Sequence, residues 1–331
     1  MDRDPHRHAC QHPPMPRVSV IIPAHDAGEF LPETLRSVDD QTFVDWEVVA
    51  VDDGSTDDTW SILESAGPRV RALRNPVPTG PAAARNRAIA EANGELIVFL
   101  DADDLLLPTY LQSQIDCLTR ATEQHRKVGL VACDALLLDA GGYADETYLD
   151  ITRSRGRALT LELVLRRNPV YISSLVPAAV GDSVGWFDAE LFGTEDFGLW
   201  LKILESGFEA VLNAEALAVY RRRAGTVSSN IARQGVNNCR TYELALGRGR
   251  LNAGQRRIAR RAIRYSRAME AVATVRFARP NARSLAQLVR LTPLLVWVAV
   301  TNPQWWGEWL AVLRDRTPRS RSADERPGPE N

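Results

Sequence analysis

The sequence predicts an α/β protein: a Rossmann-like, mostly parallel central sheet flanked by helices, followed by a helical C-terminal extension. Three observations predict it. From Arg17 to Leu100, short β-branched runs alternate with segments whose apolar residues recur at helical spacing. Two of those runs end abruptly in carboxylates, at Asp52-Asp53 and at Asp101-Ala102-Asp103-Asp104. Strands joined by right-handed crossovers end on one edge of the sheet, where such folds bind ligands. From about Gln234 the pattern becomes helical and rich in arginine.

Val18-Ser19-Val20-Ile21-Ile22 reads as the first strand, ended by Pro23, with Ala24-His25-Asp26-Ala27-Gly28 as its turn. Phe30, Leu31, Leu35 and Val38 then keep helical spacing. Trp46 to Val51 is a second strand that runs into Asp52-Asp53-Gly54-Ser55-Thr56-Asp57. Ser55 or Thr56 is positioned to cap the helix bearing Trp60, Ile62 and Leu63. Val70 to Leu73 is a short third strand, and the prolines of Pro76 to Pro81 exclude regular structure there. Ala82 to Ala92 is helical and carries Arg85, Asn86 and Arg87 early. Leu96 to Leu100 is apolar throughout, as expected of a strand buried on both faces.

Tyr110–Thr119 reads as a helix and Val128–Leu138 as strand material. The polar, glycine-containing stretch Asp139 to Arg157 reads as a loop over the cleft, and Leu161–Leu165 as a short helix. Thr194-Glu195-Asp196 opens a strong helix through Phe197, Leu199, Trp200, Leu201, Ile203 and Leu204. Phe208 to Leu212 and Leu217 to Tyr220 read as strands, followed by the basic loop Arg221 to Thr226. Further on, Ile258, Ala262, Ile263, Tyr265, Met269 and Val272 form one helical face among many arginines. The expected organisation is a tail over 1–16, a main domain over 17–230, a helical region over 231–315 and a disordered tail over 316–331.

The chain has 331 residues, 45% hydrophobic and 25% charged, with a formal net charge of −2. That charge argues against a general nucleic-acid binder. The four cysteines, Cys10, Cys117, Cys133 and Cys239, contain no Cys-x-x-Cys pair, which fits buried thiols in a reducing compartment. No apolar segment precedes Arg17, so no secretory signal is expected. The run Leu291 to Gly307 is uncharged but contains Pro293 and Pro303, and a spanning helix needs about 20 apolar residues. Trp297, Trp305, Trp306 and Trp309 suit either a membrane interface or a helical hairpin packed on the main domain.

Three carboxylates crowded after one strand are costly to ionise together. A hard cation relieves that conflict, and Mg²⁺ or Mn²⁺ takes one or two carboxylates plus phosphate oxygens. The plain alternative is that Asp103 or Asp104 caps the next helix. The second acidic turn at Asp52-Asp53 favours the first reading, because two carboxylate clusters then meet one crevice beside helix N-termini.

Together, Val18-Ser19-Val20-Ile21-Ile22-Pro23, Asp52-Asp53-Gly54-Ser55-Thr56-Asp57, Ala84-Arg85-Asn86, Asp101-Ala102-Asp103-Asp104 and Glu195-Asp196 make a specific pattern. From about Arg17 to Asn230 the chain resembles the inverting family-2 nucleotide-sugar glycosyltransferases, whose fold is GT-A. The resemblance implies that Pro23, Ala24 and His25 line the base pocket and that Asp53 binds the base. It implies Arg85 near the diphosphate and Asp103 as the direct ligand of Mg²⁺ or Mn²⁺. Asp101 then reaches the ribose or the metal's water shell. Asp196 matches the catalytic base, with Glu195 beside it. Many relatives carry a histidine shortly after a Tyr-Arg pair, whereas this chain has Tyr220-Arg221-Arg222-Arg223, so Arg223 stands there. A guanidinium pairs with phosphate but does not ligate a metal as imidazole does.

The implied activity is sugar transfer from a nucleotide-diphosphate donor, by resemblance a UDP-sugar, to an acceptor hydroxyl with inversion. The expected setting is polysaccharide, glycolipid or glycoconjugate synthesis. A non-catalytic nucleotide-sugar-binding partner is the competing reading, and the intact acidic positions weigh against it. A nucleotidyltransferase needs a basic, glycine-rich loop after the first strand, and a dehydrogenase needs Gly-x-Gly-x-x-Gly; neither is present. The arginine-rich, tryptophan-rich end favours a lipid-linked acceptor and a cytoplasmic protein held peripherally at the inner face of the plasma membrane.

Overall fold

The computed structural model describes residues 17–223 and 231–277. Expectations for 1–16, for Ala224–Asn230 and for 278–331, including the tryptophan-rich stretch, lie outside the described residues. By its contacts the chain divides into two compact units, residues 1–270 and 271–331, and all the described strands lie in the first.

The first strand, β1 (Val18–Ala24), lies at the middle of the early sheet and is buried almost throughout. Helix α1 (Leu31–Asp39) leads to β2 (Trp46–Asp53), α2 (Thr59–Glu64) to β3 (Val70–Asn75), and α3 (Pro81–Ala90) to β4 (Leu96–Phe99). All three strand pairs are parallel, with Val18 beside Trp46 on one side and Leu96 on the other. The strand continues through Pro23 rather than ending there. Ile21 C=O accepts from Leu100 N on the β4 side. Pro23, two residues on, points the same way beyond the end of β4, so its missing N–H breaks no ladder bond.

The remaining strands are β5 (Leu105–Leu106), β6 (Val128–Asp139), β7 (Gly142–Thr147), β8 (Leu175–Pro177) and β9 (Glu209–Arg221). Among the described residues the sheet order is β3-β2-β1-β4-β8-β6-β9-β5, with β7 paired to β6. β3, β2, β1, β4, β6 and β9 run one way, as the alternating pattern predicts. β5, β7 and β8 run against them, so the sheet is mixed. β5 and β8 are two and three residues long, too short for periodicity to reveal.

Two other expectations change. Asp139 to Arg157 is not a plain loop: β6 turns tightly into β7, and α5 (Tyr148–Ile151) follows with a Thr147–Asp150 capping box. The two strands read at 208–220 are one, β9, bulged where Asn213 to Ala216 passes the Cys133–Asp134 step of β6.

Helices α4 (Tyr110–Glu123), α6 (Leu161–Arg166), α7 (Ala178–Val184) and α8 (Glu195–Glu205) cover the sheet. Helices α9 (Ile231–Gly247) and α10 (Ala253–Phe277) follow. Cys239, Tyr242, Ala245, Ala259 and Ile263 from them join the core. Cys117 and Cys133 are buried free thiols, and Cys239 is buried as well. Among the described residues no helix is long and apolar enough to cross a membrane.

Candidate active site

The chain builds β1, β2 and β3 outward, then returns to place β4 on the other side of β1. That reversal creates a crevice beyond the strand ends. The turn after β1 is laced to the turn after β2. Ala27 N donates to Thr59 Oγ1 at 2.8 Å, Gly28 N to Asp57 at 2.9 Å, and Thr56 N to Asp26 at 2.8 Å. Asp57, not Ser55 or Thr56, accepts the Thr59 N–H at the start of α2, while Ser55 Oγ accepts from Asp26 N. Pro23 is half-buried, Ala24 buried, and His25 exposed. The His25 Nδ1–H donates to the Asp53 carbonyl at 2.9 Å.

Asp52 and Asp53 are both buried. Asp52 accepts from Ser55 N and lies 3.0 Å from Arg74 Nε. Asp53 accepts from Asn75 Nδ2, from Thr79 N and Oγ1, and from Gly80 N, at 2.6–2.9 Å. Its side chain therefore pins the 75–80 loop. Burial alone raises the Asp53 carboxyl, but those donors outweigh it and hold the group below its ordinary value.

The turn after β4 divides its carboxylates. Asp101 accepts from Arg85 Nη2 at 2.5 Å. Asp103 accepts from Arg223 Nη2 at 2.5 Å and Nε at 3.2 Å. The Arg223 guanidinium also lies over the Phe30 ring, 4.3 Å from its centroid. Asp104 is buried, accepting from Arg221 N at 2.8 Å and from the Tyr171 hydroxyl. It does not cap a helix, because α4 begins after Thr109. Burial raises the Asp103 carboxyl, and the Asp101 charge adds to that against the opposing pull of Arg223.

The third acidic point opens α8. Glu195 is buried and accepts from Arg85 Nη1 at 2.8 Å. Asp196 is half-buried and accepts from Asn168 Nδ2 at 3.3 Å. Its recess pushes its carboxyl up to about 7, with the Glu195 charge as the next contributor. Arg85 thus joins two of the acidic points. Burial would lower its pKa, but Asp101 and Glu195 more than compensate and keep it charged.

The structure also brings in residues the sequence reading did not single out. Asn168 is one. Tyr148, Tyr171 and Tyr220 form a ring cluster with centroids 5.4–6.3 Å apart, and the Tyr148 hydroxyl donates to the Asn168 carbonyl at 3.2 Å. Tyr220 stands in the Tyr220-Arg221 pair of the sequence, whereas Tyr148, Asn168 and Tyr171 come from segments that no local pattern ties to it.

Among the described residues no cluster of three or more His, Cys, Asp or Glu side chains forms a metal cage. The donor set fits a different arrangement. Asp103, 22% exposed, and Asp101, 34% exposed, offer two hard oxygen ligands. A Mg²⁺ or Mn²⁺ ion that brings phosphate oxygens as its remaining ligands needs no more from the protein.

Residues 19–125 match the family model described as Glycosyl transferase family 2. A Bacillus subtilis (strain 168) glycosyltransferase named for teichuronic acid biosynthesis is 32% identical over 221 residues, 65% of this chain and 82% of its own. An Escherichia coli UDP-Glc:alpha-D-GlcNAc-diphosphoundecaprenol beta-1,3-glucosyltransferase is 29% identical over 219 residues, 65% of this chain and 81% of its own. Among solved structures, S. aureus TarS in complex with UDP-GlcNAc has a TM-score of 0.59 at 20% identity, over 84% of this chain and 78% of that one. A Pyrobaculum calidifontis mannosyltransferase in complex with GDP-Man and Mn²⁺ has a TM-score of 0.59 at 19% identity, over 92% and 88%. The two structural likenesses concern the fold.

Proposed function

The chain belongs to glycosyl transferase family 2, and we propose that it transfers a sugar, with inversion, from a UDP-sugar to a hydroxyl of a lipid-linked saccharide. The setting is assembly of a cell-envelope polysaccharide. One observation carries the reading: Arg85 bridges Asp101, in the turn after β4, to Glu195, beside Asp196 on α8. A donor-side carboxylate and the proposed base are therefore held in one frame.

In this reading the nucleotide lies between His25 and the 75–80 loop that Asp53 pins. Pro23 and Ala24 form the floor of the pocket. Asp103, with Asp101 as companion, would hold a Mg²⁺ or Mn²⁺ bound together with the diphosphate. When bound, that ion offsets the negative charge on the departing nucleoside diphosphate. Arg223, which pairs with Asp103 in this structure, would be free to pair with phosphate once that carboxylate is taken. Asp196 removes the acceptor proton as the hydroxyl attacks in line, and no enzyme nucleophile is needed. Two similar facts support the lipid side of the proposal. The Escherichia coli relative is named for a diphosphoundecaprenol-linked acceptor. Arg257, Arg260, Arg261 and Arg264 are exposed on α10, at spacing that places them along one stripe, suited to anionic headgroups.

The test is Asp196→Asn, assayed with UDP-sugars and lipid-linked acceptors. The variant should bind UDP-sugar as the wild type does but lose roughly 10²–10⁴ in kcat, the range of general-base catalysis. In the wild type kcat should rise with pH through about 7, since the base acts deprotonated. Product NMR should show the inverted anomer. Full turnover by Asp196→Asn, or a retained anomer, overturns the mechanism.

A further inference from the structure

We infer that Arg85 is a positioning residue: its buried guanidinium ties the donor-side acidic turn to the helix that carries the base, and it does not touch the diphosphate. The inference rests on the reading of Asp196 as the base, and it reassigns a residue that the resemblance puts on the donor.

The Arg85 side chain is 4% exposed. One edge is taken by Asp101 and another by Glu195, at 2.5 and 2.8 Å. The guanidinium lies near the Phe187 ring, with Cζ 5.4 Å from its centroid. The remaining nitrogen, Nε, is buried without a hydrogen-bond partner, so it presents no solvent-exposed donor to a ligand. The next residue fixes the geometry. Asn86 Nδ2 donates to the Phe187 carbonyl at 2.8 Å, and Phe187 N donates back to Asn86 Oδ1 at 3.0 Å. This reciprocal pair clamps α3 to the segment that leads into α8. To reach a phosphate, Arg85 must abandon the half-buried Asp101 and the buried Glu195, and an uncompensated buried charge is strongly destabilising.

The bridge also sets the charge around Asp196. Glu195 on its own helix and Asp101 after β4 both oppose its ionisation, Arg85 from α3 favours it, and the Tyr148 phenol of α5 lies near enough to feel its charge. Asn168 adds a neutral donor. Removing Arg85 and removing the Glu195 charge must therefore act in opposite directions, which a residue bound to diphosphate has no reason to produce.

The experiment measures kcat against pH, and UDP affinity by calorimetry, for the wild type, Arg85→Lys, Arg85→Gln, Glu195→Gln and the double variant Arg85→Gln/Glu195→Gln. Arg85→Gln should move the acidic limb of kcat up by about one unit, a roughly tenfold loss on that limb. Glu195→Gln should move it down. Arg85→Lys should recover part of the loss, and the limb shift of the double variant should depart from the sum of the two opposed single shifts, as for coupled neighbours. UDP affinity should change by less than about threefold while kcat moves about tenfold. A loss of UDP affinity above about tenfold with an unmoved limb puts the guanidinium on the diphosphate and overturns the inference. So do strictly additive effects of the two positions. If Arg85→Gln does not fold, Arg85→Lys and Glu195→Gln still decide through the sign of their limb shifts. Failure of the base reading is seen separately, as Asp196→Asn with wild-type turnover.

Discussion

Asp53 holds the 75–80 loop with a single carboxylate, and that makes it a stability element as well as a cleft residue. In Asp53→Ala, the donors on Asn75, Thr79 and Gly80 lose their acceptor in a buried place. The expected cost is about 3 kcal/mol, since hydrogen bonds to a charged group are worth more than neutral ones. The sign with pH follows from its depressed pKa. The carboxylate stabilises the fold above its unfolded value of 3.8, and that contribution is lost as pH falls through the lower folded value. Urea denaturation should show the full deficit of Asp53→Ala at neutral pH, shrinking in acid. A deficit that is constant down to low pH would show that the carboxylate charge is not what the loop needs. The sequence reveals that Asp53 ends a strand, but not what it binds. Its donors lie 22–27 residues away, in a loop recognised only by its prolines. Arg85 is likewise legible as a charge early in a helix, while its partners, Asp101 and Glu195, are set by the fold.

Elements with strong periodicity were readable, and those defined by partners were not. Helix α8 announces itself by an acidic first turn followed by a nearly continuous apolar run, and it is buried accordingly. Strand β4 reads as buried on both faces, as it is. Strand β7 is masked by polarity, because its residues, Gly142–Thr147, are half-buried or exposed and mostly polar. Helix α10 was readable as amphipathic, and its exposed arginines carry a prediction. Arg256 turns inward to the Leu251 carbonyl and Arg267 pairs with Glu243 at 3.0 Å, so Arg257 and Arg260 are the better probes. If α10 meets an anionic bilayer, each contributes about 1 kcal/mol near the surface, falling off within a Debye length. The wild type should float with phosphatidylglycerol vesicles at low salt and much less at high salt. Arg257→Glu/Arg260→Glu should remain with the protein fraction while retaining its thermal midpoint. Equal flotation of the two proteins removes α10 from the membrane contact.

At the scale of the molecule, the site exists because the chain reverses its direction of sheet growth between β3 and β4 and then returns through β9. The first step was legible, since the strand–helix alternation forces a parallel half and both acidic turns must share its edge. The second was not, because β9 reaches the acidic turn through a long parallel pairing with β6 that no local pattern encodes. Its end closes the site: Arg221 N and Nε bind Asp104 and the Asp103 carbonyl, and Arg223 binds the Asp103 side chain. In the proposed reading a cation and Arg223 compete for one carboxylate. Mn²⁺ binding followed by electron paramagnetic resonance, with no nucleotide present, should tighten several-fold in Arg223→Ala, because the ion no longer displaces a guanidinium. Asp103→Asn should weaken it by more than about tenfold, the loss of one of two charged ligands. With UDP added, Mn²⁺ should bind the wild type more tightly, since the diphosphate supplies further ligands and gives Arg223 a new partner. Unchanged Mn²⁺ affinity in Asp103→Asn would move the ion away from this turn. Unchanged affinity in Arg223→Ala would mean that β9 closes the site without guarding the carboxylate.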